Sequence, residues 1–172
     1  MPDPLRLEVH KRLTSLFETI TYLDFDAVPF PMVGRVYRGR GIFGNETDVP
    51  AISILESPIP NEAPPPPVSG TTTKTLWELV VQGFVRDDRD NPTDPAHLLL
   101  AEVKRVLALE RLKMDWDDPQ DGILGLGRNV VALYIEPGVV RPADELSSKA
   151  YFWLTLRLDI VEDLADPYSL SV

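Results

Sequence analysis

Two histidines, His10 and His97, are the only side chains whose ordinary pKa lies near neutrality, and the chain has no cysteine. Both histidines fall in stretches of helical spacing. Neither has a second histidine or a carboxylate at metal-ligand spacing, so both read as helix surface residues. A catalytic serine would need one of them as its base, and no Gly-x-Ser-x-Gly elbow occurs. Without cysteine there are no disulfides, thiolate metal sites or thiol nucleophiles. Gly122-Ile123-Leu124-Gly125-Leu126-Gly127 lacks the spacing and the lysine-serine pair of a phosphate-binding loop and reads as a flexible turn. Asp117, Asp121 and Gly122 match part of a calcium loop. Its third position is Pro119 and its twelfth Arg128, where a bidentate glutamate is required. Asp87, Asp88, Asp90 and Asp94 read as turn formers and caps. Two aspartates working as acid and base stay open, because folding and not spacing sets their separation. No cofactor and no metal is expected.

The remaining informative residues suit recognition better than catalysis. Arg35, Arg38 and Arg40 surround Tyr37 in a chain of net charge −10. On a strand, alternate residues share a face, so Arg38 and Arg40 are expected to project together, with Tyr37 opposite. They protect a sheet edge or meet an acidic partner, including another copy of the chain. Tyr151, Trp153 and Arg157 share the outward face of the last strand, and these residue types are enriched at interfaces.

The elements that must position these groups follow from periodicity. Leu5, Val9, Leu13, Leu16, Phe17 and Ile20 predict a helix over 4–21, with Asp3 as cap and Pro4 at its first position. Short strands are expected over 33–40 and 51–55. Residues 57–70 hold six prolines, including the run Pro64 to Pro67. This favours an extended exposed loop that stays out of any sheet ladder, or an arm that docks on a partner. A long strand is expected over 75–86. Its core face is Trp77, Leu79, Val81 and Val85, with Gly83 marking a bulge or a close approach. Asp94-Pro95 starts a second helix that ends near Arg111. Strands at 130–135 and 150–161 follow, the second alternating strictly between Phe152, Leu154, Leu156, Leu158, Ile160 and a mixed face. Residues 162–172 read as irregular. The predicted fold is α+β: a twisted, mainly antiparallel sheet with two principal helices packed on one face, in one domain spanning 1–172.

Charge narrows the function. The 27 acidic residues against 17 basic ones oppose binding to nucleic acid, which requires phosphate neutralisation. The first residues lack the basic start and apolar run of a signal peptide, and no apolar stretch approaches the ~20 residues of a membrane helix.

The order and texture of these segments resemble the tail terminator, or tail completion, proteins of long-tailed bacteriophages. The resemblance runs through the opening amphipathic helix, Val36-Tyr37-Arg38-Gly39-Arg40, and the stretch from Val49-Pro50 to Leu55-Glu56. It continues through Trp77-Glu78-Leu79-Val80-Val81-Gln82-Gly83-Phe84, Asn91-Pro92-Thr93-Asp94-Pro95-Ala96-His97, and the last strand with Glu162-Asp163 and Asp166-Pro167-Tyr168. Neck and minor tail proteins share a similar pattern. The resemblance implies a non-enzymatic virion subunit, made in the host cytoplasm, that forms a ring of commonly six copies. The ring caps the tail tube, ends its polymerisation and meets the head connector, while DNA passes through it unbound. It implies no catalytic residues. Among the residues named above, the arginine strand (Arg35, Tyr37, Arg38, Arg40), the acidic turn (Asp87, Asp88, Asp90) and the pair Trp153 and Arg157 are the candidate interface residues. A monomeric binding module using the proline arm and a small two-aspartate hydrolase are the rival readings.

Overall fold

A computed structural model describes residues 2–24, 26–44, 46–57, 67–113, 122–145 and 148–169. The proline run up to Pro66, and Asp117 and Asp121 of the calcium-like stretch, lie outside the described residues. The fold is α+β, with two helices and a mostly antiparallel sheet. In chain order come α1 (Leu5–Glu18), β1 (Thr21–Leu23), β2 (Pro29–Pro31), β3 (Val36–Arg38), β4 (Ala51–Glu56), β5 (Pro67–Ser69) and β6 (Thr72–Val85). Next are α2 (Asp94–Arg111), two short 3-10 turns (Ile123–Gly125 and Gly127–Asn129), β7 (Val130–Ile135), β8 (Val139–Arg141) and β9 (Ala150–Asp163).

The two longest strands, β6 and β9, pair antiparallel along their whole length, from Thr72 opposite Asp163 to Val85 opposite Ala150. β4 pairs with β6, and β3 joins β4 in parallel. On the other side β7 and β8 both run along β9, one against Leu156 to Ile160 and the other against Tyr151 to Trp153. Pro137 ends β7, and Gly138, at φ +76°, turns the chain back onto the same edge. β1 and β2 form a separate two-stranded sheet.

This register puts Trp77, Leu79, Val81 and Val85 of β6 on one face with Phe152, Leu154, Leu156, Leu158 and Ile160 of β9. All are buried with Val9, Leu13 and Phe17 of α1 and Leu99, Val103 and Leu107 of α2 in one apolar cluster. Each fully buried leucine contributes about 1.5–3 kcal/mol over its exposed state. Gly83 lies directly opposite Phe152 in an unbroken ladder. It marks a close approach, not a bulge: a Cβ built there would lie 2.1 Å from the Phe152 ring.

Several expectations are corrected. α1 starts at Leu5 with Pro4 as its cap residue and stops at Glu18, and Asp3 instead ion-pairs with Lys11. α2 is capped at Thr93, so Asp94 sits inside the first turn. Where the helix was expected to reach Thr21, β1 begins instead and pairs antiparallel with β2. Pro67 does join a ladder, opposite Thr73, on the edge of β6 where a missing N–H is tolerated. β8 continues the sheet beyond Pro137-Gly138. The last strand runs on through Asp163.

The glycine-rich stretch is a packed turn, not a flexible one. Ile123, Leu124 and Leu126 are buried, and Leu124 holds a positive φ of 59°. The Glu110 carboxylate, only 4% exposed, accepts the Leu124 N–H at 2.7 Å and the Lys113 ammonium at 2.8 Å. That pair of bonds fixes the turn against α2.

Candidate functional site

The face of the sheet opposite the helices carries the second set of alternating residues. Tyr37, Leu55, Glu78, Val80, Gln82, Phe84, Tyr151, Trp153, Thr155, Arg157 and Tyr134 fall on it by register. One end of this face is covered by loops. Phe43 reaches over from the segment after β3 to Phe84, with centroids 4.5 Å apart, and touches Tyr37 at 5.6 Å. Phe84 stacks on Tyr151 at 6.2 Å, and Tyr151 on Trp153 at 5.9 Å. Five aromatic rings thus form one line across β3, β4, β6 and β9. Tyr151, itself in this line, lies on the outward face where alternation put it but is buried there, and it donates to Asp144 Oδ2 at 2.9 Å. Burial and then the Asp144 carboxylate push its phenol pKa up.

The arginines do not act as one patch. β3 ends at Arg38, and Gly39, at φ +70°, turns the chain so that alternation is lost. Arg40 therefore crosses to the Tyr37 side. It lies 4.7 Å over both the Tyr37 and Phe43 rings and donates to Thr47 Oγ1 at 3.0 Å. Arg35 is half-buried and reaches the Pro50 carbonyl at 3.5 Å. Only Arg38 is exposed, on the helix side of the sheet edge. Arg157 lies between Glu78 and Glu136, 3.3 Å from each, so its charge is compensated within the chain. Trp153 is half-buried, with Arg141 at 6.0 Å, while Tyr134 is 50% exposed.

The acidic turn divides as well. Asp88 Oδ1 accepts the N–H groups of Asp90 and Asn91 at 2.9 and 2.6 Å, the turn-forming role expected of it. Asp90 is exposed. Asp87 instead lines a pocket of about 330 Å³ with Tyr22, Asp24, Asp26, Phe30, Val49, Pro50, Arg86, Ser148 and Lys149. Asp24 Oδ1 holds its own loop through Asp26 and Val28.

A second cleft, about 270 Å³, lies between α1 and the β3–β4 edge. Leu7, His10, Arg38, Gly39, Ile54 and Glu56 line it. His10 stands edge-on to Trp77 at 5.4 Å, with Nε2 3.8 Å from Glu56 and a buried Nδ1 that has no hydrogen-bond partner among the described residues. It is a half-buried residue and not the surface residue expected. Burial lowers its pKa, the Glu56 carboxylate opposes this, and Arg38 lowers it further. The lining offers a base and a carboxylate, with no hydroxyl to act as nucleophile. His97 is exposed. Among the described residues no group of three His, Asp or Glu is placed to hold a metal, and no helix is long and apolar enough to cross a membrane.

Periodicity missed Phe43, Arg141, Glu56 and the Asp24–Asp26 pocket wall, because loops or distant strands bring them in. The clustering of Tyr37, Phe84, Tyr151 and Trp153 was legible only as alternation on separate strands. No family model matches this chain, and no curated protein matches it.

Proposed function

We infer that the chain is a structural subunit of a bacteriophage tail, forming a ring that caps the finished tube, ends its polymerisation and joins tail to head. The observation that carries this reading is the sheet face opposite the two helices. An antiparallel sheet with helices on one side leaves the other to water or to a second chain. Here that side bears a half-exposed Tyr134 and a partly buried Trp153 beside Arg141, residue types that concentrate at interface centres. The resemblance in segment order supplies the phage tail. The net charge of −10 suits a ring through which DNA slides without sticking.

A closed ring needs two different patches on each subunit. Arg38, aligned with Ile54 near one end of β4, is one candidate. Asp87, beyond the other end where Ala51 meets Phe84, is its counterpart. Arg38→Glu should weaken ring assembly, and adding Asp87→Arg should restore it. Separately, Trp153→Ala with Tyr134→Ala should raise the assembly concentration on the order of a hundredfold. Rings that form as readily in both variants as in the wild type would sink the interface assignments. A neck or minor tail role uses the same surfaces and differs in the partner.

The aspartate-lined pocket favours a second reading, a small hydrolase using Asp87 together with Asp24 or Asp26. It requires turnover of an aryl glycoside or ester that Asp87→Asn abolishes. A protein inert toward such a panel removes it.

A further inference from the structure

The outer side of α2 carries a line of residues that no element among the described residues covers. Leu98, Glu102, Arg105, Leu109 and Leu112 follow one another at steps of 4, 3, 4 and 3. At 3.6 residues per turn these fall along a single stripe. The opposite side of the helix, with Leu99, Val103 and Leu107, is packed on the sheet. On the stripe Leu98 is 45% exposed, Leu109 53% and Leu112 75%. One exposed leucine is ordinary. Here the stripe is apolar at both ends, with Leu98 at one and Leu109 and Leu112 at the other, and charged at its centre, a pattern that calls for a partner.

The strip has a symmetry that identifies the partner. Between Leu98 and Leu109 the spacing reads the same in both directions, while the two central charges exchange places. A second copy of the helix, laid antiparallel with its two-fold axis between Val103 and Lys104, brings Leu98 against Leu109 of the other copy. The same operation brings Glu102 against the other copy's Arg105. The 4-3-4 steps give the alternating layers of an antiparallel coiled-coil seam. Within one chain Glu102 and Arg105 are already paired at 2.8 Å, so docking would convert that pair into a four-charge cluster of alternating sign.

We propose that α2 is a two-fold self-docking surface, and that two free chains pair through Leu98, Glu102, Arg105 and Leu109. A two-fold contact closes on itself and cannot build a ring, so this pairing is independent of the ring reading and uses a different side of the molecule. A single helix pair lies at the small end of interface sizes, which puts its dissociation constant on the order of 100 µM.

Because the chain has no cysteine, its register can be tested directly. Leu98→Cys and Leu109→Cys proteins, mixed at several hundred micromolar and mildly oxidised, should give a covalent heterodimer, while neither alone does. Light scattering should show that Glu102→Arg or Arg105→Glu weakens pairing at least about tenfold, and that the double reversal restores it. Leu98, Arg105 and Leu109 are exposed and Glu102 is partly exposed, so unchanged thermal unfolding of each variant separates lost pairing from lost fold. Cross-linking of Leu98→Cys with itself, the absence of any cross-link in the mixture, or a double reversal that fails to restore pairing would each overturn the proposal.

Discussion

Replacing Gly83 with alanine tests the packing on which both sheet faces depend. The added Cβ would lie 2.1 Å from Phe152 Cε1 and 2.5 Å from Cζ. Ordinary carbon contacts need 3.5–4.0 Å, so ring or strand must move by more than 1 Å. Phe152 is completely buried on the helix face and cannot swing away. Overpacking of this kind costs about 1–3 kcal/mol. Alanine recovers about 0.5–1 kcal/mol of backbone entropy at a strand position. An overlap this deep belongs in the upper half of the overpacking range, so the net loss should be about 1–2.5 kcal/mol, or a fall in Tm of roughly 2–10 °C for a chain of this length. Phe152→Ala alone should cost about 3–5 kcal/mol. In the Gly83→Ala, Phe152→Ala double variant the clash is gone and the new methyl occupies part of the vacated space. Its cost should therefore fall short of the sum of the singles by at least the clash term. Urea unfolding followed by tryptophan fluorescence and circular dichroism measures the cycle. An alanine variant as stable as the wild type, or strictly additive singles, would refute the reasoning.

Three further outcomes follow from buried polar groups. Glu110→Ala strips the acceptor from the Leu124 N–H and should cost about 1–3 kcal/mol, with amide hydrogen exchange accelerated at 123–126; unchanged exchange there would contradict the role given to Glu110. Burial and then Asp24 push the Tyr22 phenol up to about 12. Since its unfolded value is about 10, the fold holds the proton more tightly: stability is full below pH 10 and falls as pH rises toward 12. Tyr22→Phe should flatten that alkaline loss in urea titrations. The His10 pKa is lowered by burial and by Arg38, so its contribution is present above pH 6.5 and lost as pH falls through the lowered value. Arg38→Glu should raise the His10 pKa, which NMR reads cleanly because His97 is the only other histidine; no movement would place Arg38 away from the cleft.

Regular packing was legible in the sequence and loop-made geometry was not. The alternation of Phe152, Leu154, Leu156, Leu158 and Ile160 placed β9 because one dry face forces a period of two. The leucines and valines of α2 placed that helix equally well. The α1 cap was misjudged by one residue because Asp3 could serve either as a cap or as the partner of Lys11, and the ion pair prevailed. Three-residue strands such as β1, β2 and β8 are too short for a period to register. Among the candidate site residues, Trp153 is where alternation put it. Arg38 and Arg40 part company because Gly39 adopts a left-handed conformation that spacing cannot announce. Tyr151 is covered by Asp144 and by Phe84, groups 7 residues away and across the sheet. The pairing of His10 with Glu56 joins a helix to a strand and leaves no trace in local sequence.

The central claim, a self-assembling ring, is tested most directly by the mass and image of the protein in solution. Light scattering over a concentration series, with electron micrographs of the same samples, should be run on the wild type and on Glu102→Arg, which weakens pairing through α2. The ring account predicts a closed particle of about six times the 19.3 kDa chain in both proteins at high concentration. A Glu102→Arg protein that stays a single chain at every concentration and salt would contradict it.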